Sequence, residues 1–308
     1  MYYFIINPDS SRGRGGRVWK ILKHRLDKTK VEYQAFLTQK QEDARRFAGE
    51  LTEERREPVT IVAVGGDGTV NEIVDGLWLQ CPVTLGYIPA GSGNDLARSL
   101  RLPKNPYKGL KNILEENPSC RMVDYGVISY GEGQLCCRRF MVSAGIGMDG
   151  AVCHSILNSR KDGKKLFKGR AAYLQAGIKE MIAARPVKGY LLLDGVKKVE
   201  FNYLYFVSAH IHPFEGGGFL FAPDAVWDDG VLSLCVANHR KKRKLLRAAV
   251  CSFMGRRSGK GSGVRYYACR EVMIHVDRPL AVHVDGENCS CQQEVHLRCI
   301  GRNLRMIV

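Results

Sequence analysis

Nothing in this 308-residue sequence approaches the ~20 consecutive apolar residues that a membrane-spanning helix requires. Residues 1–7 hold a brief apolar run and no basic leader, so no signal peptide is expected. The 11 cysteines include no Cys-x-x-Cys pair, and their number is odd. Cys289 and Cys291 are one residue apart, and strand alternation would put both thiols on one face, with His283 and His296 nearby. Nothing else has ligand spacing, so a zinc site is not expected. Unpaired thiols suit a reducing cytoplasm. The expectation is a cytoplasmic protein with no more than peripheral membrane contact. Also missing are an internal repeat and any aromatic-interleaved basic stripe or nucleic-acid reader motif, so nucleic acid is not an expected partner.

What is present is ordinary globular material, 45% hydrophobic and 25% charged, enough to build a core. The formal net charge of +16 favours an anionic partner: a nucleic acid, an anionic membrane surface or a phosphorylated ligand. The densest basic run, residues 239–247, is followed by apolar residues 248–254. It reads as a helix with a solvated basic end, or as a surface that docks on anionic lipid.

Strand and helix patterns alternate four times over the first hundred residues. Strands are expected at 2–6, 31–37, 59–64 and 83–88, and helices at 18–26, 39–48, from Thr69, and from Leu96. Thr38 is placed to cap the second helix. This alternation predicts a doubly wound α/β domain with ligands at the carboxyl ends of its parallel strands. Three loops then share one edge: the glycine-rich residues 7–16, residues 65–69 and residues 89–94.

The middle loop carries the sharpest chemistry. A β-branched strand runs into Gly65, Gly66 and Gly68, and a helix starts after them, a combination that presents backbone N–H groups to phosphate. Asp67 puts a negative charge inside that loop. It would repel a phosphate unless a cation lies between them, so the stretch points to a nucleotide held with Mg²⁺. The alternative is a glycine turn with Asp67 as a helix cap. Ser92 offers a hydroxyl within the third loop.

From residue 122 onward alternation of period two dominates, interrupted by helical patterns from Asp149 to about Ala184 that break at the basic loop 159–170. Asp194 and Gly195 form a hairpin signal. Residues 256–263 have the composition of a flexible linker. This half predicts an antiparallel β domain. Within it, Glu287 follows Asp285 and Gly286: either a carboxylate placed to accept a proton from a hydroxyl, or an ordinary turn with Glu287 in solvent. Asp229 and its neighbouring carbonyls could chelate a cation or simply form a tight turn.

Taken together, these strings resemble the soluble bacterial lipid kinases of the diacylglycerol kinase family, whose catalytic domain is shared with sphingosine and ceramide kinases. The resemblance rests on residues 65–72, on 89–95 with Ala97 and Arg98, on Phe214 with Gly216 to Gly218, on Pro223 with Ala225, on Asp229 with Gly230, and on residues 285–287. Asn7 and Pro8 match the family's opening loop.

The resemblance implies an α/β nucleotide domain over residues 1–121 plus about 300–308, and an antiparallel β-sandwich lipid domain over 122–299. It implies ATP and Mg²⁺, with transfer of the γ-phosphoryl group to a lipid hydroxyl at a membrane surface, diacylglycerol being the default acceptor. Asn7, Pro8, Asp9, Ser10, Ser11, Arg12, Thr38, Gly65, Gly66, Asp67, Gly68, Thr69, Val70, Asn71 and Ser92 would hold the nucleotide. Glu287 would be the general base, with Asp67 on the Mg²⁺–phosphate side. A structural Mg²⁺ would take the Asp229 carboxylate and the carbonyls of Val226 and Val231. A charged network would comprise Arg12, Asp124 and Lys165, with Lys164 and Lys168 as neighbours in the same loop. The pattern departs from the family at Arg12, Ser92, Leu96 and His210. Two other functions fit parts of it: NAD-kinase-like phosphorylation of a soluble nucleotide, and a catalytically silent lipid or nucleotide sensor. A homodimer is left open.

Overall fold

In a computed structural model, which describes residues 1–131, 134–161, 170–259 and 261–308, the chain divides into two compact units. Unit 1 is Met1–Val123 with Arg302–Val308, and unit 2 is Asp124–Gly301.

Unit 1 contains β1 (Tyr2–Ile6), α1 (Ser10–Thr29), β2 (Tyr33–Leu37), α2 (Asp43–Thr52), β3 (Val59–Gly65), α3 (Asp67–Gly76), β4 (Val83–Pro89), α4 (Asp95–Ser99) and α5 (Pro106–Ile113). The sheet runs β4-β3-β1-β2, and every pair is parallel. Its strands are apolar almost throughout because both faces are covered. Phe4, Ile6, Val62, Val64 and Ile88 turn to one face and pack with Val18, Trp19, Leu22 and Leu26 of α1 and with Leu110 and Ile113 of α5. Alternation sends Ile5, Ile61 and Ala63, all fully buried, to the other face. α2 packs on α3, where Gly76 lies so close to the Arg45 carbonyl that a Cβ would collide with it.

Two boundaries differ from the sequence expectation. α1 begins at Ser10, inside the stretch expected to be loop. However, Ser11, Arg12 and Gly13 have left-handed φ of 49°, 58° and 80°, so regular winding starts only after them. α2 begins at Asp43 rather than at Gln39, and Thr38 does not cap it. The Asp43 carboxylate instead accepts the amides of Gln39 and Lys40, at 2.8 and 3.0 Å, and holds the entering chain non-helical.

Unit 2 begins within β5 (Cys120–Tyr130) and continues with β6 (Cys136–Phe140), β7 (Ser143–Gly147), α6 (Met148–Lys161), α7 (Arg170–Ala183), β8 (Val187–Leu193), β9 (Lys197–His210), β10 (Phe214–Glu215), β11 (Phe219–Leu220), β12 (Leu232–Asn238), α8 (Lys242–Phe253), β13 (Val264–Cys269), β14 (Glu271–Val284) and β15 (Glu287–Ile307). The pairs from β7 through the first half of β15 are antiparallel. β9 and β14 each pair with β8 along one half and with β7 along the other. The strands therefore close around one core, which includes Ile146, Leu191, Leu204, Val207, Ile274 and Val295. Each such side chain contributes roughly 1.5–3 kcal/mol when fully buried. Asp194 makes the expected β8–β9 hairpin at φ 50°, and its carboxylate also accepts the amides of Arg270 and Glu271. The last residues of β15 belong to unit 1, where Arg305 and Met306 pair in parallel with Thr84 and Leu85 of β4.

The thiols of Cys289 and Cys291 do not share a face. Cys289 is buried and Cys291 exposed, because Ser290, with φ 64°, breaks the alternation between them.

Candidate active site

In unit 1, strand register fixes where the three loops begin. Ile6 aligns with Val64 and Leu37, and Val64 aligns with Ile88. Asn7, Thr38, Gly65 and Pro89 therefore stand at one sheet edge, the carboxyl ends of the strands. Backbone bonds extend the ladder past them: Asn7 donates to Val64 at 2.9 Å, Thr38 to Ile6 at 2.9 Å and Ala90 to Gly65 at 2.6 Å. The first loop stores strain, since left-handed Ser11 and Arg12 each cost roughly 1–2 kcal/mol. Backbone outliers of this kind cluster at ligand sites, and an αR-to-αL succession forms an anion-binding nest of N–H groups.

The second and third loops are built against each other. A Cβ on Gly91 would lie 2.5 Å from Gly66 Cα, so only glycine permits that approach. Asn94, left-handed at φ 52°, accepts the Gly91 amide and donates to the Gly91 carbonyl, both at 2.9 Å. Asp67 supplies the tie between loops. Its carboxylate accepts the amides of Asp95 at 3.0 Å and Leu96 at 3.2 Å, the first turn of α4. The sequence expectation of a cap is met in an unexpected way, because Asp67 caps α4 rather than its own helix. Two of its roughly four lone-pair positions serve those amides. Of the other expected nucleotide residues, Asn7, Pro8, Asp9, Ser10, Gly68 and Thr69 fall in or beside the same loops, and Ser92 is exposed there. Val70 and Asn71 are fully buried in α3.

Unit 2 separates the two acids of the Asp-Gly-Glu string. Asp285 is structural: at φ 46° it forms the β14–β15 turn with Gly286, and its carboxylate accepts the amides of Met141, Val142 and Ser143 at 2.7–2.8 Å. Glu287, half-buried, starts β15 opposite Val284. Its backbone is thereby fixed by pairing with β14.

A buried polar cluster lies in the same unit, and sequence spacing gave little sign of it. His283 Nε2 stands 2.8 Å from Asp149 and 3.7 Å from Glu215, and Cys153, one turn after Asp149 on α6, adjoins them. Burial opposes protonation of His283, but Cys153, Asp149 and Glu215 outweigh it and hold the imidazole well above its usual pKa. Burial also raises the Cys153 thiol and keeps it neutral, so the carboxylates supply the effect. Burial works against the Asp149 carboxylate as well, and His283 reverses it, leaving its pKa lowered. The arrangement is an imidazolium between two acids.

His210, which bonds Ser208 at 2.6 Å, and His212 are fully buried and behave oppositely. Burial lowers them to about 4 and about 3. The unfolded chain takes up these protons below about pH 6.5, whereas the folded chain does not until pH nears those values. Stability therefore falls as pH drops from 6.5 towards 4, by roughly 3 kcal/mol for His210 alone at the lower end. Urea denaturation at a series of pH values should show this acid-side loss, and His212→Leu should flatten it by roughly 2–3 kcal/mol between pH 6.5 and 4.5. An unchanged slope would mean that His212 is not held neutral.

Beside this cluster lies a cavity of about 270 Å³ whose walls are apolar, among them Met148, Leu174, Phe206 and Phe219, with Asp149 and Glu215 also on its lining. Asp149 and Glu215 were missed as site residues. The available signals were the four-residue spacing of Asp149 and Cys153, and a charge at Glu215 beside three glycines.

The expected cation position is a tight turn. Asp229 Oδ1 accepts the Val231 amide at 3.0 Å, and fully buried Asp124 accepts the Gly230 amide at 2.7 Å. Burial raises the Asp229 pKa, and Asp124 and Asp228 add like-charge repulsion. Asp124 and Asp229 are thus occupied with backbone amides, and among the described residues the three acids do not bring their ligand atoms together at one point. Arg12 belongs to unit 1 and Asp124 to unit 2, and Lys164, Lys165 and Lys168 lie outside the described residues.

Unit 1 thus presents a glycine-rich loop edge on a parallel sheet, and unit 2 a closed antiparallel sheet with an apolar cavity. The diacylglycerol kinase catalytic domain model matches residues 1–128, and the YegS C-terminal NAD kinase beta sandwich-like domain model matches residues 142–308. A diacylglycerol kinase of Mycobacterium tuberculosis is 31% identical over 232 residues, covering 74% of this chain and 70% of its own. A diacylglycerol kinase of Bacillus subtilis is 27% identical over 290 residues, covering 92% and 88%. A crystal structure of a diacylglycerol kinase from Bacillus anthracis, 19% identical, matches with a TM-score of 0.70 over 99% of this chain and 96% of that one, a likeness of fold alone. The chain belongs to the lipid kinase family that includes the bacterial diacylglycerol kinases. Membership carries phosphotransfer.

Proposed function

We propose that this protein transfers the γ-phosphoryl group of ATP, with Mg²⁺, to the hydroxyl of diacylglycerol. The observation that carries the acceptor half is the apolar cavity of unit 2, which bears carboxylates on an otherwise hydrocarbon lining. Apolar walls suit acyl chains, and Asp149 and Glu215 suit the donor hydroxyl of a glycerol backbone. A soluble dinucleotide would leave those walls unused.

In this reading the strained loop at Ser11 and Arg12 and the packed glycines hold the phosphate chain, and Asp67 keeps the second and third loops together. Mg²⁺ would supply charge neutralisation at the transferring phosphoryl group. Asp67 would meet that ion from within the second loop, and Asp229 with Val226 and Val231 would hold a structural ion. Glu287 accepts the proton of the attacking hydroxyl, whose oxygen takes the phosphoryl group as ADP departs.

The test is phosphorylation by ATP of a lipid panel in mixed micelles beside NAD, with and without Mg²⁺, read by mass spectrometry. Phosphatidic acid from diacylglycerol, formed only with the divalent ion, is the expected product. Phosphorylation of NAD with none of the lipids would overturn the proposal.

A further inference from the structure

The cavity has an open side, and part of the basic run 239–247 lies on α8 beside it. On α8 the exposed residues are Arg243, Leu246, Arg247, Val250 and, just beyond its end, Met254. Their successive separations of three, one, three and four residues place them on a single helical face. The opposite face, with Leu245 and Ala248, is buried. On α7 the exposed face carries Ile178 and Ile182, the latter 74% exposed, with Lys179 and Arg185 beside them. The two helices touch, and Lys242 Nζ donates to the Ile182 carbonyl at 2.7 Å. Ile178, Leu246 and Val250 are at once exposed and part of the cavity lining, so this face is the mouth of the cavity.

We propose that the α7–α8 face docks on an anionic lipid bilayer. The occupant follows from two features together. An apolar strip of Ile178, Ile182, Leu246, Val250 and Met254 reaches hydrocarbon, while Arg243, Arg247, Lys241 and Arg185 are exposed around it. Among the described residues none of these four cations makes an ion pair. Apolar residues ringed by cations match the layered chemistry of headgroup phosphate over acyl chain. The strip is also continuous with the cavity wall, so an acyl chain moves from bilayer to cavity without crossing water. The geometry stands by itself, and only its purpose rests on the lipid-kinase reading.

Flotation of the full chain with vesicles tests this, using phosphatidylcholine alone and phosphatidylcholine mixed with phosphatidylglycerol. Strong flotation is expected with the mixed vesicles and weak flotation with the neutral ones. Arg243→Gln with Arg247→Gln should weaken partition into mixed vesicles about thirtyfold, from the loss of two cations at an anionic surface. Ile182→Ser with Met254→Ser, neither of which lines the cavity, should weaken it about tenfold on both vesicle types. Both double variants should still phosphorylate a water-soluble short-chain diacylglycerol. Flotation of the variants at the wild-type level would overturn the docking face, as would wild-type protein that never floats. So would light scattering that shows a dimer broken by Ile182→Ser with Met254→Ser, since the strip would then be a self-association surface. Normal flotation without any short-chain turnover would leave the docking face standing and remove the kinase reading instead.

Discussion

Glu287→Gln should lower kcat for lipid phosphorylation about a thousandfold, near the middle of the range for losing a general base. The melting temperature should move less than in Asp285→Asn, because the Asp285 carboxylate holds three backbone amides at the β14–β15 turn. Asp285→Asn gives the mirror image. It weakens three charge-assisted bonds that pin the turn, so stability falls by a few kcal/mol, at about 1.5–3 kcal/mol for each such bond fully lost. In the proposed reaction the Asp-Gly-Glu string would then divide between a scaffold residue, Asp285, and a proton acceptor, Glu287. Comparing thermal melts and steady-state kinetics for both variants checks the division. Wild-type turnover in Glu287→Gln would remove that residue from the reaction.

The second large effect is expected at Asp67. Asp67→Asn keeps one acceptor oxygen but loses the other, along with the charge. One of the amides of Asp95 and Leu96 then loses its partner, for roughly 1–3 kcal/mol of stability. Turnover should fall a hundredfold or more if the carboxylate also faces the Mg²⁺–phosphate group, on the scale of removing one electrostatic stabiliser. Calorimetric titration with ATP separates the two roles. Loss of the Mg²⁺ dependence of binding marks the charge, whereas uniformly weaker binding marks only a displaced loop. Full activity in Asp67→Asn would leave it a loop anchor alone.

Much of unit 1 could be read from residues because its information is local. Each βα repeat announces itself by an apolar strand, a glycine turn and a periodic helix, and parallel topology then brings residues 7, 65 and 89 to one edge without further input. Errors in that unit came from side chains acting on backbone nearby. Asp43 captures the amides of Gln39 and Lys40 and delays a helix, and Ser11 and Arg12 adopt a conformation that their residue types disfavour. In unit 2 the antiparallel pattern was visible, but the cluster of Asp149, Cys153, Ser208, His210, Glu215 and His283 was not. Its members come from α6, β9, β10 and β14, and no sequence spacing links one of these elements to another. The cavity was hidden for the same reason. A helix face shows which residues are apolar, not whether the space beneath them is filled.

One feature of the topology bears on how the chain is made. The sheet of unit 1 gains its strand beside β4 only from residues 302–308, which follow the whole of unit 2. During synthesis β4 emerges early and waits with one edge unpaired while more than two hundred further residues are added. At about 5–20 residues per second that is an interval of roughly 10–40 seconds. An unpaired strand edge in a parallel sheet is a template for association with other chains. The nascent unit 1 therefore carries an open sheet edge until unit 2 has been made, and its yield should depend on residues 302–308.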